Sequence, residues 1–268
     1  MSAKPADLEA ILDRDRAGGL RETALVAAIV LVVLLCAYLV GLLDAGRMAQ
    51  GIPAIGQLIG EMMPPDFSNA ANWGRPLLDT LAMSIAGTAL AVLLSLPLGF
   101  LAAPNTTPNA VAYRAARFIL NFLRSIPELI LGIVFVAAVG FGALPGVLAL
   151  GLHSVGMIGK FFAETVEHVD HRPVEAARAA GATKLQVIWH AVLPQVLPQM
   201  ADITVYRWEY NFRASTVMGM VGAGGIGFEL IGALRVMDYT EVSAVLLCIL
   251  ATVTVVDALG AALRRSLK

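Results

Sequence analysis

Residues 175–194 read EAARAAGATKLQVIWHAVLP. This polar, helix-forming stretch lies between hydrophobic runs long enough to cross a bilayer, and that setting decides the fold. Pro173 suits the first turn of a helix, Glu175 favours its positive end, and the alanines propagate it. Gly181 is where such a helix ends or bends sharply. Helical spacing then resumes, with Leu185, Ile188, Trp189 and Val192 on one side, and Pro194 marks the entrance to the next apolar run. Two short helices meeting at a glycine form a compact protrusion; a long surface loop is the plainer alternative.

Outward from the hairpin, the composition is that of a membrane protein. Hydrophobic residues make up 58% and charged residues only 15% of the chain, and the formal net charge of -1 carries no suggestion of nucleic-acid binding. Cys36 and Cys248 sit inside apolar runs and read as small hydrophobes. A spanning helix needs about 20 apolar residues. Thr23 to Leu43 and Thr80 to Ala103 supply uncharged runs of that order. Leu129 to Gly159 is divided by GFGALPG (140–146), a tight turn between two helices. Val192 to Met218 is a fifth run that carries charges, and Glu241 to Ala262 is the last. The expectation is an all-α, polytopic bundle of about six spans, with residues 1–22 as a cytoplasmic N-terminal segment, 23–268 as the membrane domain, and a cytoplasmic loop at about 170–194.

Basic residues orient the chain. Lys4, Arg14, Arg16, Arg21, Arg114, Arg117, Arg172, Arg178, Lys184, Arg264, Arg265 and Lys268 fall on one side and only Arg47, Arg75 and Arg235 on the other. That bias predicts both termini, and the hairpin, inside. The longest outer connection, about Asp44 to Leu77, reads as a turn-rich surface stretch with Trp73 at the lipid headgroups.

EAA at 175–177, Gly181, and Leu193-Pro194 resemble the cytoplasmic motif of bacterial ABC-importer permeases, in which this loop docks into a groove on the ATPase subunit. Ala191 departs from the isoleucine usual in the family. The resemblance implies that Glu175 meets a basic residue on the ATPase, that Gly181 lets the helices turn, and that Ala176 and Ala177 allow close approach. RSIPELILGIVF from Arg124 and RWEYNFRASTVMGMVGAGGIG from Arg207 are similar to the permeases of phosphonate importers, and the similarity covers roughly Arg114 to the C-terminus. This similarity implies a type I ABC-importer permease in a bacterial inner membrane: a homodimer of this chain with two ATPase subunits and an extracytoplasmic solute-binding protein. Substrates in that family are organophosphonates, with phosphite and phosphate as near neighbours. ATP and Mg would belong to the ATPase, leaving no cofactor in this chain.

The fifth span carries Asp202, Arg207, Glu209 and Arg213, and each unpaired charge at mid-bilayer costs about 2.5–3.5 kcal/mol on insertion scales. At about 100° per residue, Asp202, Glu209 and Arg213 share a face and Arg207 lies away from it. Glu209 and Arg213 form an i,i+4 pair in the favourable order. Arg207 is left without a helical partner, and its planar fork suits an oxyanion. Structural pairing, across a dimer or with Asp257, is the competing reading. Arg124 and Glu128 also stand four apart around Pro127, which fits either a gating hinge or an ordinary kink. Lys160 can face a cavity or snorkel.

GAGGIG at 222–227 satisfies GxGxxG, but no strand–helix alternation surrounds it, so a glycine-rich re-entrant or outer segment is the expected reading. GxxxxGK[ST] is missing, which assigns ATP hydrolysis to a partner. His168 and His171 lack a third metal ligand, and His153 and His190 stand alone. Two other classes remain: an ion-gradient-driven secondary transporter using Asp202 and Glu209 as a relay, and a membrane enzyme using the same carboxylates as acid and base. Neither needs a cytoplasmic docking element.

Overall fold

A computed structural model describes residues 5–266, which form helices and connecting turns with no strand among them. Lys4 and Lys268, two of the cations expected on the inner face, lie outside the described residues. The chain divides into two compact units, residues 1–60 and 61–268.

In the first unit, α1 (Pro5–Leu39) runs unbroken from the expected N-terminal segment into the first span. Its apolar part, Arg21–Leu39, is long enough to cross a bilayer and has no buried side chain. α2 (Ala45–Glu61) replaces the turn-rich loop expected here. Its apolar residues repeat at helical spacing, a pattern that Pro53 in the interior and several glycines concealed.

The second unit is built on α3 (Gly74–Ala102) and α6 (Ala143–Glu167), which pack along most of their length. Small residues permit this: the backbones approach so closely that a Cβ on Gly99 would stand 2.8 Å from the Cβ of Phe162. In lipid, where apolar surface gains little from burial, such close packing is what holds helices together. Around this pair lie α4 (Ala110–Ser125), α5 (Glu128–Val139), α9 (Leu193–Met218), α10 (Ile226–Arg235) and α11 (Tyr239–Ser266).

Besides Arg21–Leu39, three continuous helical stretches qualify as spans: Ala70–Ala102, Ala143–Glu167 and Tyr239–Ser266. Two bent pairs bring the number to 6. One is α4 with α5, bent by 87° at Ile126-Pro127, where proline cannot continue the hydrogen-bond ladder. The other joins residues 184–221 to α10 at 43°. Its break is the glycine-rich segment: Gly222, Gly224 and Gly225 all have positive φ, and the Ile226 amide donates to Thr80 Oγ1 at 2.8 Å.

Trp73 does not face lipid. It is 2% exposed and packs in a core cluster with Ile226, Ala244 and Val245. The segment before it is tied down, with the Asp66 amide donating to the Thr240 carbonyl and Asn69 Nδ2 donating to Glu241 Oε1 at 2.7 Å. That anchoring turns a surface tryptophan into a core residue.

Candidate functional site

Local chemistry builds the hairpin. α7 (His171–Ala179) starts at Asp170, whose carboxylate accepts from the Arg172 amide and pairs with the Arg172 guanidinium at 2.7 Å. The hydrogen bond from that guanidinium, with the backbone bond, holds the Asp170 carboxyl below the usual carboxylate range. The helix ends in a Schellman motif: Ala182 N–H donates to the Ala177 carbonyl and Gly181 N–H to that of Arg178, with Gly181 at φ +81°. Two residues later Thr183 and Gln186 form a capping box that starts α8 (Lys184–Val187). A π-helical stretch, Ile188–Val192, then leads into α9.

The extra residue per turn in that stretch rotates the apolar face. Val187, Ala191 and Val192 are buried, whereas Leu185 and Trp189 are 74% and 65% exposed. The stripe Leu185, Ile188 and Trp189 nevertheless stays together, as one wall of an open apolar cleft against Leu96 and Phe100 of α3. Val174, Val187, Ala191 and Val192 join the same core cluster as Leu120, Phe162 and Val166. The hairpin is therefore bolted to the bundle. Glu175 and Ala176 are exposed, Ala177 and Leu193 are half-buried, Pro194 is exposed, and Gly181 faces open space. Glu175 makes no ion pair among the described residues.

Inside the bundle the charges of α9 separate. Glu209 and Arg213 share a face, as the periodicity predicts, but they do not pair with each other. Glu209, 7% exposed at its side chain, meets Arg264 Nη1 at 2.5 Å, and Arg213 meets Asp257 Oδ1 at 2.8 Å. α11 presents both partners, and a cross-helix contact in low dielectric outweighs a local i,i+4 pair. Gly260 makes the room: a Cβ there would collide with the Glu209 carboxylate. Asp202 lies beside Tyr206, Arg264 and Arg265 at the mouth of a cavity. Arg124 is exposed, and it does not pair with Glu128 because the 87° break swings the two apart.

Arg207 stands alone. It is 5% exposed; its Nε donates to Ser154 Oγ at 2.9 Å, and its guanidinium lies 4.0 Å above the Tyr210 ring. Nη2 is buried with no hydrogen-bond partner. Ser154 Oγ donates to Asn211 Oδ1, and Asn211 Nδ2 to Thr88 Oγ1, at 2.9 and 2.8 Å, so a polar line joins α6, α9 and α3. On the other side of Arg207, the Tyr210 hydroxyl donates to Glu128 Oε1 at 2.8 Å, and Glu128 Oε2 lies 3.1 Å from His153 Nε2. Sequence reasoning missed Ser154, Asn211, Tyr210 and His153. Polar groups inside apolar runs were the available signal, but their convergence from separate helices is a tertiary fact.

This architecture, an all-helical bundle with a capped hairpin set into one end, is that of an ABC-importer permease. The chain belongs to the family described as binding-protein-dependent transport system inner membrane component, which matches residues 95–268. It is 64% identical over 269 residues to the phosphite transport system permease protein PtxC of Stutzerimonas stutzeri, covering 100% of this chain and 98% of that one. To the phosphate-import permease protein PhnE of Mycolicibacterium smegmatis it is 43% identical, over 82% of this chain and 41% of that protein. Among solved structures, the inward-facing MetNI methionine ABC transporter matches with a TM-score of 0.63 and 26% identity, over 73% of this chain and 96% of that chain. The protein is thus a multi-pass transport subunit and not an enzyme.

Proposed function

We propose that the chain forms the translocation path of an ATP-driven importer for phosphite, or a related phosphonate or phosphate oxyanion. The observation that carries the reading is Arg207: a buried guanidinium at mid-span, unpaired by any carboxylate within ion-pair distance among the described residues, with one nitrogen uncommitted. An oxyanion is what such a group binds. The names of the relatives support the substrate class, and the choice among oxyanions rests with an external solute-binding protein.

On this reading two copies of the chain assemble with two ATPase subunits, which hold ATP and Mg, and both termini face the cytoplasm. The 170–194 hairpin is the coupling element. Glu175 is free for a basic residue of the ATPase, Ala176 and Ala177 allow close approach, and the buried valines pass the ATPase movement to α3, α4 and α6. ATP binding closes the ATPase pair and turns the path from inward- to outward-facing. Glu209, held by Arg264, is poorly placed to relay protons with Asp202, which favours the ATP-driven reading over the ion-gradient one.

The test is uptake of phosphite by cells carrying the complete transporter. Arg207→Ala is expected to lower uptake at least about tenfold, the loss of one charged hydrogen bond, while the subunit still reaches the membrane. Unchanged uptake kinetics would return Arg207 to a structural role.

A further inference from the structure

The Glu128–His153 contact poses a problem of proton count. His153 Nδ1 lies 3.0 Å from the Ile126 carbonyl, which only accepts, so Nδ1 carries a hydrogen. The Tyr210 hydroxyl already donates to Glu128 Oε1. Nε2 and Oε2, 3.1 Å apart, would then be two acceptors face to face unless a further proton lies between them. A carboxylate with a neutral ring in this tautomer does not fit the geometry. Either an imidazolium donates to a carboxylate, or a carboxylic acid donates to a neutral imidazole.

We propose that Glu128 and His153 share one proton, and that this proton keeps the cluster around Arg207 at a net charge of +1, the charge that draws an oxyanion into the path. The sum is the same for both proton positions: Arg207 is positive, and the acid–imidazole pair is neutral overall. Remove the proton, and the Glu128 carboxylate cancels Arg207 through the intervening Tyr210. Glu128 is therefore not the counter-ion of Arg207, although it lies one residue beyond it. The other ionisable groups on the surrounding helices do not alter this sum: Tyr206 and Arg124 are exposed, Lys160 is paired with Glu164, and Glu209 and Arg213 are paired with α11. The same contacts brace the broken span, because His153 on α6 holds the Ile126 carbonyl at the break and Glu128 at the start of α5.

The proposal rests on the oxyanion reading of Arg207 and makes a prediction that reading does not. In H153Q the amide donates to Glu128 but brings no ionisable proton, so the carboxylate stays negative and the cluster falls to zero. In E128Q the amide accepts from Tyr210 and donates to a neutral His153, every hydrogen bond is kept, and the charge remains +1. In E128Q/H153Q the charge is again +1.

The experiment is initial uptake of inorganic phosphite and of phosphate by cells carrying the complete transporter, normalised to subunit abundance in the membrane. H153Q is expected to lower uptake efficiency about thirtyfold, the effect of one charge at about 8 Å in an effective dielectric of about 20. E128Q and the double variant are expected within about threefold of the parent. Parental uptake from H153Q, or a double variant as poor as H153Q, overturns the proposal. If H153Q fails to insert, E128Q decides, because a loss above tenfold there shows that the carboxylate itself is required. Should the parent take up neither anion, the transport reading fails and this inference with it; a parent that transports beside an H153Q variant with undiminished uptake sinks the shared proton alone.

Discussion

Arg264→Met should be the most damaging change in the α9–α11 interface, and more damaging than Glu209→Gln. The two partners differ in environment: the Glu209 side chain is 7% exposed, that of Arg264 27%. Taking away the arginine strands a carboxylate that is only 7% exposed and pressed against Gly260. Breaking a buried pair in this way costs about 3–5 kcal/mol. Taking away the carboxylate strands only a long cation near the end of α11, which can extend its head to the interface. At about 2–4 °C per kcal/mol for a chain of this class, Arg264→Met should lower the melting temperature of the detergent-solubilised transporter by roughly 6–20 °C. Glu209→Gln should lower it by only a few degrees, and Glu209→Gln/Arg264→Met should recover most of the loss, giving a coupling energy in the double-mutant cycle. Equal melting temperatures for the two single variants would refute the claim that Glu209 is the desolvated partner.

Gly181→Asn should preserve coupled uptake and Gly181→Val should abolish it. Open space surrounds the position, so the discriminating property is the φ of +81°, which asparagine tolerates and a β-branched residue resists by about 1–2 kcal/mol. Asp170→Ala should speed hydrogen exchange of the first amides of α7 several-fold. In the parent that protection should be flat from about pH 5 to 8: a carboxyl held low by Arg172 gives its full contribution above the ordinary value and loses it only as pH falls through the depressed one. Trp73→Ala should cost about 3–5 kcal/mol of stability, read as a drop in melting temperature, whereas a headgroup tryptophan would cost far less.

Legibility followed the range of the interactions. The hairpin could be read because its determinants are local: Pro173 in the first turn, the EAA run, Gly181 at the left-handed end, Pro194 at the next entrance. Spans could be read from unbroken apolar length, and the 87° break from Pro127. What failed was whatever depended on a partner far along the chain. Periodicity puts Glu209 and Arg213 on one face correctly and offers Asp257 as a competing partner, which the structure gives to Arg213; Arg264, the partner of Glu209, carries no signal in the sequence because it lies on another helix. His153 looked isolated for the same reason. A rule for unattached tryptophans makes Trp73 a lipid-facing residue, and the Asp66–Thr240 and Asn69–Glu241 bonds, which fix the segment before it, account for its burial instead. The apolar period of α2 was obscured by Pro53 and its glycines.

The charges on α9 now divide by their partners. Glu209 and Arg213 are neutralised by the same neighbour, α11, and act as an electrostatic seam between two spans. Arg207 faces the opposite way, into hydroxyls, an amide and an aromatic ring, all of which orient a guanidinium without cancelling it. A structural arginine would be expected to resemble its neighbours, since an unneutralised charge at mid-span costs about 2.5–3.5 kcal/mol that a carboxylate at Ser154 or Asn211 would offset. Retaining that cost makes sense for a group whose counter-ion arrives with the cargo. The same helix starts from the hairpin, so on the proposed coupling an ATPase movement that tilts α9 would displace Arg207 relative to α3 and α6. That linkage would give a physical reason for the positive charge to sit on α9 and not on the tightly packed α3–α6 pair: on this reading the pair is the frame, and the charge moves against it.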